Sequence, residues 1–520
     1  MKGITIVQQV ATLRLRSDET VAPVSRRLFG TFVEHMGRSV YTGIHEPEHP
    51  TADAAGFRRD VGALVRELGA TCVRYPGGNF VSGYRWEDGV GPVENRPVRV
   101  DAAWRSLESN AVGLHEFTGW ATEMGLEVMM AVNLGTRGAA EAAELLEYCN
   151  LDEPTARVAE RRRNGADAAF GFDVWCLGNE MDGEWQIGHK TADEYGRLAA
   201  ETARLMRFID PGVELVAAGS SSAEMATFGE WERTVLRHTG DLVDHISLHA
   251  YYEELDDVSD FLASSARLDR FIDEVAMIVA GVEQELGLTK HIGISVDEWN
   301  VWNTTRFNQV DKEPLLTGPW RFHPRIIEDE YTVTDAVVVG SLLNSLLRHA
   351  DRVSIANQAQ LVNVIAPIRS EPGGAAWRQT IFYPFAITAA HAHGSVLTVG
   401  VEAATLTTPT YGDVLQLDAT ATFDDDRIEV FVVNRSQTDA VDVALDTDGF
   451  VVESATTLTA PDDGDRRTTN TADAQPVAPR ALAVEPGSAT VQLPPLSWNH
   501  LRLVRAIEAG ARTETQEENA

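Results

Sequence analysis

The sequence predicts an α/β protein: a (β/α)8 barrel of the TIM type joined to an antiparallel, jelly-roll-like β-sandwich. Three observations carry this. Short apolar runs alternate with helical segments over residues 28–385, the rhythm of right-handed βαβ units on a parallel sheet. Two of those runs end abruptly in polar residues with a glutamate at the tip, at Glu180 and Glu298. Beyond Pro384 the pattern changes to short Val/Thr/Leu-rich segments parted by turn clusters, the mark of a sandwich.

In chain order, residues 3–8 and 11–16 alternate apolar and polar. That suits half-buried antiparallel strands and not a barrel interior, so both are assigned to the edge of the sandwich. Barrel strands are expected at 28–34, 72–75, 127–134, 174–180, 214–218, 245–251, 293–298 and 353–360. Helices such as 56–68, 114–124, 191–208 and 335–349 lie between them. Eight units over roughly 370 residues fit a barrel with insertions. A doubly wound sheet would carry a glycine-rich phosphate turn, and Pro76-Gly77-Gly78-Asn79 is not that fingerprint. Sandwich strands are expected at 396–401, 414–418, 427–433, 441–446, 489–493 and 499–504. The resulting division is 1–18 (strands joining the sandwich), 19–385 (barrel), 386–506 (sandwich) and 507–520, a disordered acidic tail; 460–480 reads as an acidic, proline-containing loop.

Composition narrows the function. The 520 residues carry a net charge of −34, which disfavours nucleic acid and anionic membranes as partners. No run of about 18 apolar residues offers a membrane span, and no signal-peptide pattern is visible at the N-terminus. Cys72, Cys149 and Cys176 cannot all pair, so reduced, apolar-packed thiols and a cytoplasmic location are expected.

The chemistry concentrates at the strand ends. Val174-Trp175-Cys176-Leu177-Gly178-Asn179-Glu180 and Ile292-Gly293-Ile294-Ser295-Val296-Asp297-Glu298-Trp299-Asn300 each place a carboxylate where barrels put catalytic groups, at the C-terminal rim. Either alone also suits a plainer role, a helix cap or a loop packing its tryptophan. Two carboxyl groups converging on one rim can protonate a leaving oxygen and stabilise an oxocarbenium-like centre, the needs of glycoside hydrolysis.

Phe29-Gly30-Thr31-Phe32-Val33-Glu34-His35, Arg74-Tyr75-Pro76-Gly77-Gly78-Asn79-Phe80, Trp175 to Glu180 and Asp297-Glu298-Trp299-Asn300-Val301-Trp302 occur in this order. Together they resemble the α-L-arabinofuranosidases of glycoside hydrolase family 51, over residues 3–504. The resemblance implies a retaining enzyme that removes terminal non-reducing α-L-arabinofuranosyl residues from arabinose-containing oligosaccharides. It implies Glu180 as acid/base and Glu298 as nucleophile. Glu34, Asn79 and Asn179 would bind furanose hydroxyls, Arg74 and Tyr251 would touch the nucleophile, and Gln360 would close the pocket. Trp104, His249 and Trp302 would wall it. No cofactor or metal is implied, and a homo-oligomer, a hexamer, is. From the residues alone, alternation in His249-Ala250-Tyr251-Tyr252 does not choose between the two tyrosines.

Other function classes fit parts of the sequence. An endo-β-glucanase or β-xylosidase on the same barrel is the nearest enzymatic alternative, and a non-catalytic sugar-binding barrel is more remote. His45-Glu46-Pro47-Glu48-His49 fits the zinc-peptidase pattern H-E-x-x-H. That pattern works on a helix, however, and Pro47 and Pro50 argue for a loop.

Overall fold

The computed structural model describes residues 10–485 and 487–506. The strand expected at 3–8 and the tail at 507–520 lie outside the described residues. Eight parallel strands close the barrel: β1 (Gly30–Phe32), β2 (Cys72–Tyr75), β3 (Glu127–Ala131), β4 (Val174–Leu177), β5 (Glu214–Ala217), β6 (His245–Tyr252), β7 (Gly293–Val301) and β8 (Val353–Gln358). Side-chain alternation divides each strand between two cores. Met129, Ala131, Val174, Cys176, Val216 and Ile355 pack together as one cluster. Their neighbours Trp175, Leu177, Leu215 and Ala217 belong to the large cluster shared with the helices. Burial on both sides is why these strands read as unbroken apolar runs.

Most strand ends fall short of the expected ones. β1 begins at Gly30 because Arg26–Phe29 form a 3-10 turn, and β3 and β8 stop at Ala131 and Gln358. The remaining residues of those runs are the loops that reach over the rim. Helices behave similarly: Arg59–Leu68 starts later than expected, while Val333–Arg348 starts earlier, capped by Thr332, whose hydroxyl accepts from Asp335 N–H. Among the described residues no helix is long and apolar enough to cross a membrane.

Beyond the barrel, a four-stranded and a seven-stranded sheet share one apolar core that includes Leu13, Leu15, Leu417, Val430, Val443 and Leu501. The expectation of an N-terminal edge strand needs correction. Ala11–Leu15 lies inside the four-stranded sheet, antiparallel to Gly400–Glu402 and parallel to Val441–Thr447. The strand at an edge is Thr20–Pro23, paired with Ser395–Leu397 in the other sheet. Phe450–Leu458 is a further sandwich strand that the turn pattern did not mark. Helix Val333–Arg348 joins barrel to sandwich. Asp418 accepts from Ser341 Oγ at 2.6 Å and from Arg348 Nη2 at 3.0 Å. Burial opposes its charge, but Arg435 and Arg348 hold its pKa down to about 2.

The 460–480 segment is docked rather than loose. Arg466 Nη1 meets Glu254 Oε2 at 2.7 Å, Trp377 Nε1 donates to Asn470 O at 3.2 Å, and Val477 is buried. Residues 45–49 are not helical: His45 makes isolated bridges to Tyr41 and Phe57, and a turn follows at Pro47 and Glu48. His45 Nε2 lies 3.2 Å from Ala55 O and His49 Nε2 lies 2.9 Å from Gly374 O, so the two imidazoles serve separate backbone groups.

Candidate active site

The C-terminal ends of β1, β2, β4, β6, β7 and β8 converge on one buried polar cluster. Arg74, on the inner face of β2, is fully buried at its centre. Its Nη1 donates to Glu298 Oε1 at 2.8 Å and its Nη2 to Asn179 Oδ1 at 2.6 Å, while Nε lies 3.7 Å from Asp297 Oδ2. Tyr251 Oη donates to the other Glu298 oxygen at 2.6 Å. Both oxygens of Glu298 are therefore fixed. Burial alone would raise its pKa, but His249, Arg74 and the Tyr251 hydroxyl together hold it below the ordinary glutamate value.

Glu180 stands opposite. Its Oε1 is 2.9 Å from His249 Nδ1, and its Oε2 accepts from Trp185 Nε1 at 2.6 Å. His249 Nδ1 is also 3.7 Å from Glu298 Oε2. One oxygen of each glutamate and a ring nitrogen of His249 all lie within 4.8 Å of one another. Desolvation lowers the His249 pKa, but the two carboxylates outweigh it and raise the net value. Glu180 has a left-handed backbone, φ 44°, a conformation that a non-glycine residue holds only when its surroundings dictate it.

A second group closes the pocket around Glu34. Its Oε1 accepts from Phe80 N and Trp104 Nε1, each at 2.8 Å, and its Oε2 from Gln360 Nε2 at 3.2 Å. Burial nevertheless pushes the Glu34 pKa up to about 8. Asn179 Nδ2 donates to Asn79 Oδ1 at 3.4 Å. Trp302 meets the Tyr251 ring edge to face, centroids 5.3 Å apart, and its buried Nε1 has no hydrogen-bond partner among the described residues. All eleven residues singled out from the sequence thus come together.

Local backbone explains how. The β6–β7 register shifts between Leu248 and His249, pairing Leu248 with Val296 and His249 with Glu298. Asp297 is the extra residue, and a bulge of this kind re-aims side chains; Asp297 and Glu298 accordingly both approach Arg74. Gly77, at φ 152°, passes so close to Glu34 that a Cβ would stand 2.5 Å from its Cγ. A Cβ on Gly78 would stand 3.0 Å from Glu298 Oε1.

Sequence reasoning gave no role to Gly77, Gly78 or Asp297, although all three lie inside the quoted motifs. Trp185 was missed altogether, its one signal being a tryptophan in a polar loop five positions after Glu180.

Two trios among the described residues have spacings that suit a metal ion: Glu180, His249 and Glu298, and His391, Glu429 and His500. In the first, Glu298 is already bound on both oxygens by Arg74 and Tyr251. In the second, Arg502 donates to Glu429 Oε1 at 2.8 Å and to His391 Nδ1 at 2.8 Å. A cation there would compete with a guanidinium for the same lone pairs. What the first trio can do instead is acid–base and nucleophilic chemistry between two carboxyl groups.

Comparison with known proteins follows the same lines. Residues 64–270 match the family model of the α-L-arabinofuranosidase 1 domain, and residues 297–497 that of the α-L-arabinofuranosidase C-terminal domain. The intracellular exo-α-(1→5)-L-arabinofuranosidase of Streptomyces lividans is 54% identical over 491 residues, 93% of this chain and 74% of that protein. The exo-α-(1→6)-L-arabinofuranosidase of Bifidobacterium longum is 51% identical, covering 93% and 95%. Among solved structures, a family 51 α-L-arabinofuranosidase from Bifidobacterium longum superposes with a TM-score of 0.89 at 45% identity, covering 95% of this chain and 99% of that one.

Proposed function

The chain belongs to the α-L-arabinofuranosidases of glycoside hydrolase family 51, and from that premise we propose how its residues divide the work. The enzyme is a retaining exo-glycosidase that removes terminal α-L-arabinofuranosyl residues from arabinose-containing oligosaccharides. Glu298 is the nucleophile and Glu180 the acid/base. The observation that carries this division is the asymmetry of the pair. Arg74 and Tyr251 fix both oxygens of Glu298 and keep it ionised, whereas Glu180 faces His249 and the indole of Trp185. Retention calls for carboxyl groups about 5–5.5 Å apart, and the approach of the two oxygens within 4.8 Å suits it.

In the first step Glu298 attacks the anomeric carbon as the bond to the leaving oxygen breaks and the Glu180 proton passes to that oxygen. In the second, Glu180 takes a proton from water, which displaces Glu298. Glu34, Asn79 and Asn179 bind the furanose hydroxyls. A five-membered sugar offers little apolar surface, so fixed polar partners dominate its recognition. Trp104 and Gln360 hold Glu34 in place, and His249 and Trp302 complete the walls.

A panel of 4-nitrophenyl glycosides that differ only in the sugar tests the substrate. Clear preference for the α-L-arabinofuranoside is expected; preference for a β-glucoside or β-xyloside overturns the reading. The enzyme works in the cytoplasm as a homo-oligomer, possession of a hexameric form being the family expectation. The names of intracellular relatives support the location. Exposed Val310, Leu316, Trp320 and Phe322 supply apolar surface for assembly. Light scattering at working concentration tests the assembly, and a monomeric mass refutes it.

A further inference from the structure

We propose that Trp185 is a positioning residue for the acid/base: its indole N–H holds the Glu180 carboxyl in the orientation that delivers a proton to the leaving oxygen. The inference rests on the assignment of Glu180 as acid/base.

Exposure raises the question. Trp185 leaves 55% of its surface in solvent, so burial alone does not account for its place. Its contact with the site is polar: Nε1–H donates to Glu180 Oε2 at 2.6 Å.

The surrounding loop is built to bring the ring there. Gly183 is the seat: a Cβ on it would stand 2.5 Å from both Cε2 and Cζ2 of the indole. A side chain at 183 would force the ring to shift. Gly183 N–H in turn donates to Glu180 O at 3.0 Å, and Gln186 N–H to Gly183 O at 3.0 Å, so acid/base and tryptophan share one tight turn. The turn is anchored to the barrel rim. Asp182 Oδ2 accepts from Ser221 N at 3.0 Å, Lys190 N–H donates to Met181 O at 2.9 Å, and buried Gln186 is bound to Ser82.

Glu180 needs this support. Its left-handed backbone, φ 44°, is held by the surrounding turn, and its carboxyl is oriented from outside. His249 does so on one oxygen and Trp185 on the other. As the proton passes from Glu180 to the glycosidic oxygen, charge grows on the carboxylate, and a fixed N–H donor stabilises that developing charge. That help matters in proportion to how much protonation the leaving group needs.

The test compares two substrates on Trp185→Phe, Trp185→Ala and Glu180→Ala. One is an arabinofuranosyl disaccharide, whose leaving group requires a proton; the other is 2,4-dinitrophenyl α-L-arabinofuranoside, whose leaving group does not. The readout is the ratio of the two kcat/KM values, disaccharide over aryl. Glu180→Ala should lower this ratio by about a hundredfold or more. Both Trp185 variants should lower it by about tenfold, the cost of one hydrogen bond to a charged group. Phe, which keeps a ring on Gly183, should do no better than Ala. A Phe variant with the wild-type ratio makes the role one of packing and overturns the inference. So does an unchanged ratio in both Trp185 variants beside a collapsed one in Glu180→Ala. An unchanged ratio in Glu180→Ala sinks the acid/base assignment first, and this inference with it.

Discussion

Arg74 and Glu298, 224 positions apart in the chain, meet inside the barrel at 2.8 Å, and the same guanidinium reaches Asn179 at 2.6 Å. One buried cation thus positions the proposed nucleophile and the residue beside the proposed acid/base. Breaking a buried pair leaves an uncompensated charge and costs about 3–5 kcal/mol, so gentler substitutions around it are more informative.

Tyr251→Phe is one. Its hydroxyl, 2.6 Å from Glu298 Oε2, is among the groups that hold the carboxylate ionised against its burial. Without that donor Glu298 takes up a proton at higher pH, so activity on the acid side is lost sooner as pH falls. The acid limb of the kcat/KM profile should move to higher pH, with a loss of about tenfold near that limb. A profile that overlays the wild type would remove Tyr251 from contact with the nucleophile.

Asn179→Ala should lower kcat/KM by about 1–3 kcal/mol in transition-state terms. Two effects add: a furanose hydroxyl loses its partner, and Arg74 Nη2 loses the acceptor now at 2.6 Å. Hydrogen bonds that tighten in the transition state act on kcat more than on KM. Steady-state kinetics on an aryl arabinofuranoside checks this, and unchanged constants would take Asn179 out of the site.

How much of this could be read from the sequence depends on the length scale. The eight strand positions were legible because burial on both faces writes an unbroken apolar run, as in Val174–Leu177. Strand ends were not, because rim loops such as the one holding Gln360 are equally apolar and fully buried. The choice between Tyr251 and Tyr252 needed the β6–β7 bulge. With the register set there, Tyr251 reaches Glu298, and Tyr252 joins the helix-side core. Asp297 was invisible as a neighbour of Arg74 for the same reason, since strict alternation sends adjacent residues to opposite faces. The place of Ala11–Leu15 inside a sheet rests on a parallel pairing 432 positions away in sequence, which no local pattern encodes.

Glu34 makes a prediction about stability. Burial raises its pKa to about 8 from an ordinary value of 4.5, so the folded enzyme binds this proton more tightly than the unfolded chain. Stability from this group is complete below about pH 4.5 and is lost as pH rises towards 8. Glu34→Gln removes the titration while keeping an acceptor for the Phe80 and Trp104 N–H groups, each 2.8 Å from Glu34 Oε1. The melting temperature of the variant relative to wild type should therefore climb between pH 5 and 8. A constant difference across that range would mean that Glu34 does not carry a raised pKa.

The two glutamates should fail differently. Glu298→Ala should abolish turnover of every substrate, because no glycosyl-enzyme forms. Glu180→Ala should still be glycosylated by an activated aryl arabinofuranoside, whose leaving group needs little protonation. Water has then lost its base, so the glycosyl-enzyme should accumulate and turnover should stall after a burst. Azide, a nucleophile that needs no base, should restore turnover and release an arabinofuranosyl azide with the anomeric configuration of the substrate. Mass spectrometry of the stalled variant should find a pentosyl group on a peptide containing Glu298. A pentosyl group on another carboxylate would reverse the assignment. Inverted product by NMR would rule out double displacement, against the close approach of the two carboxyl oxygens, within 4.8 Å.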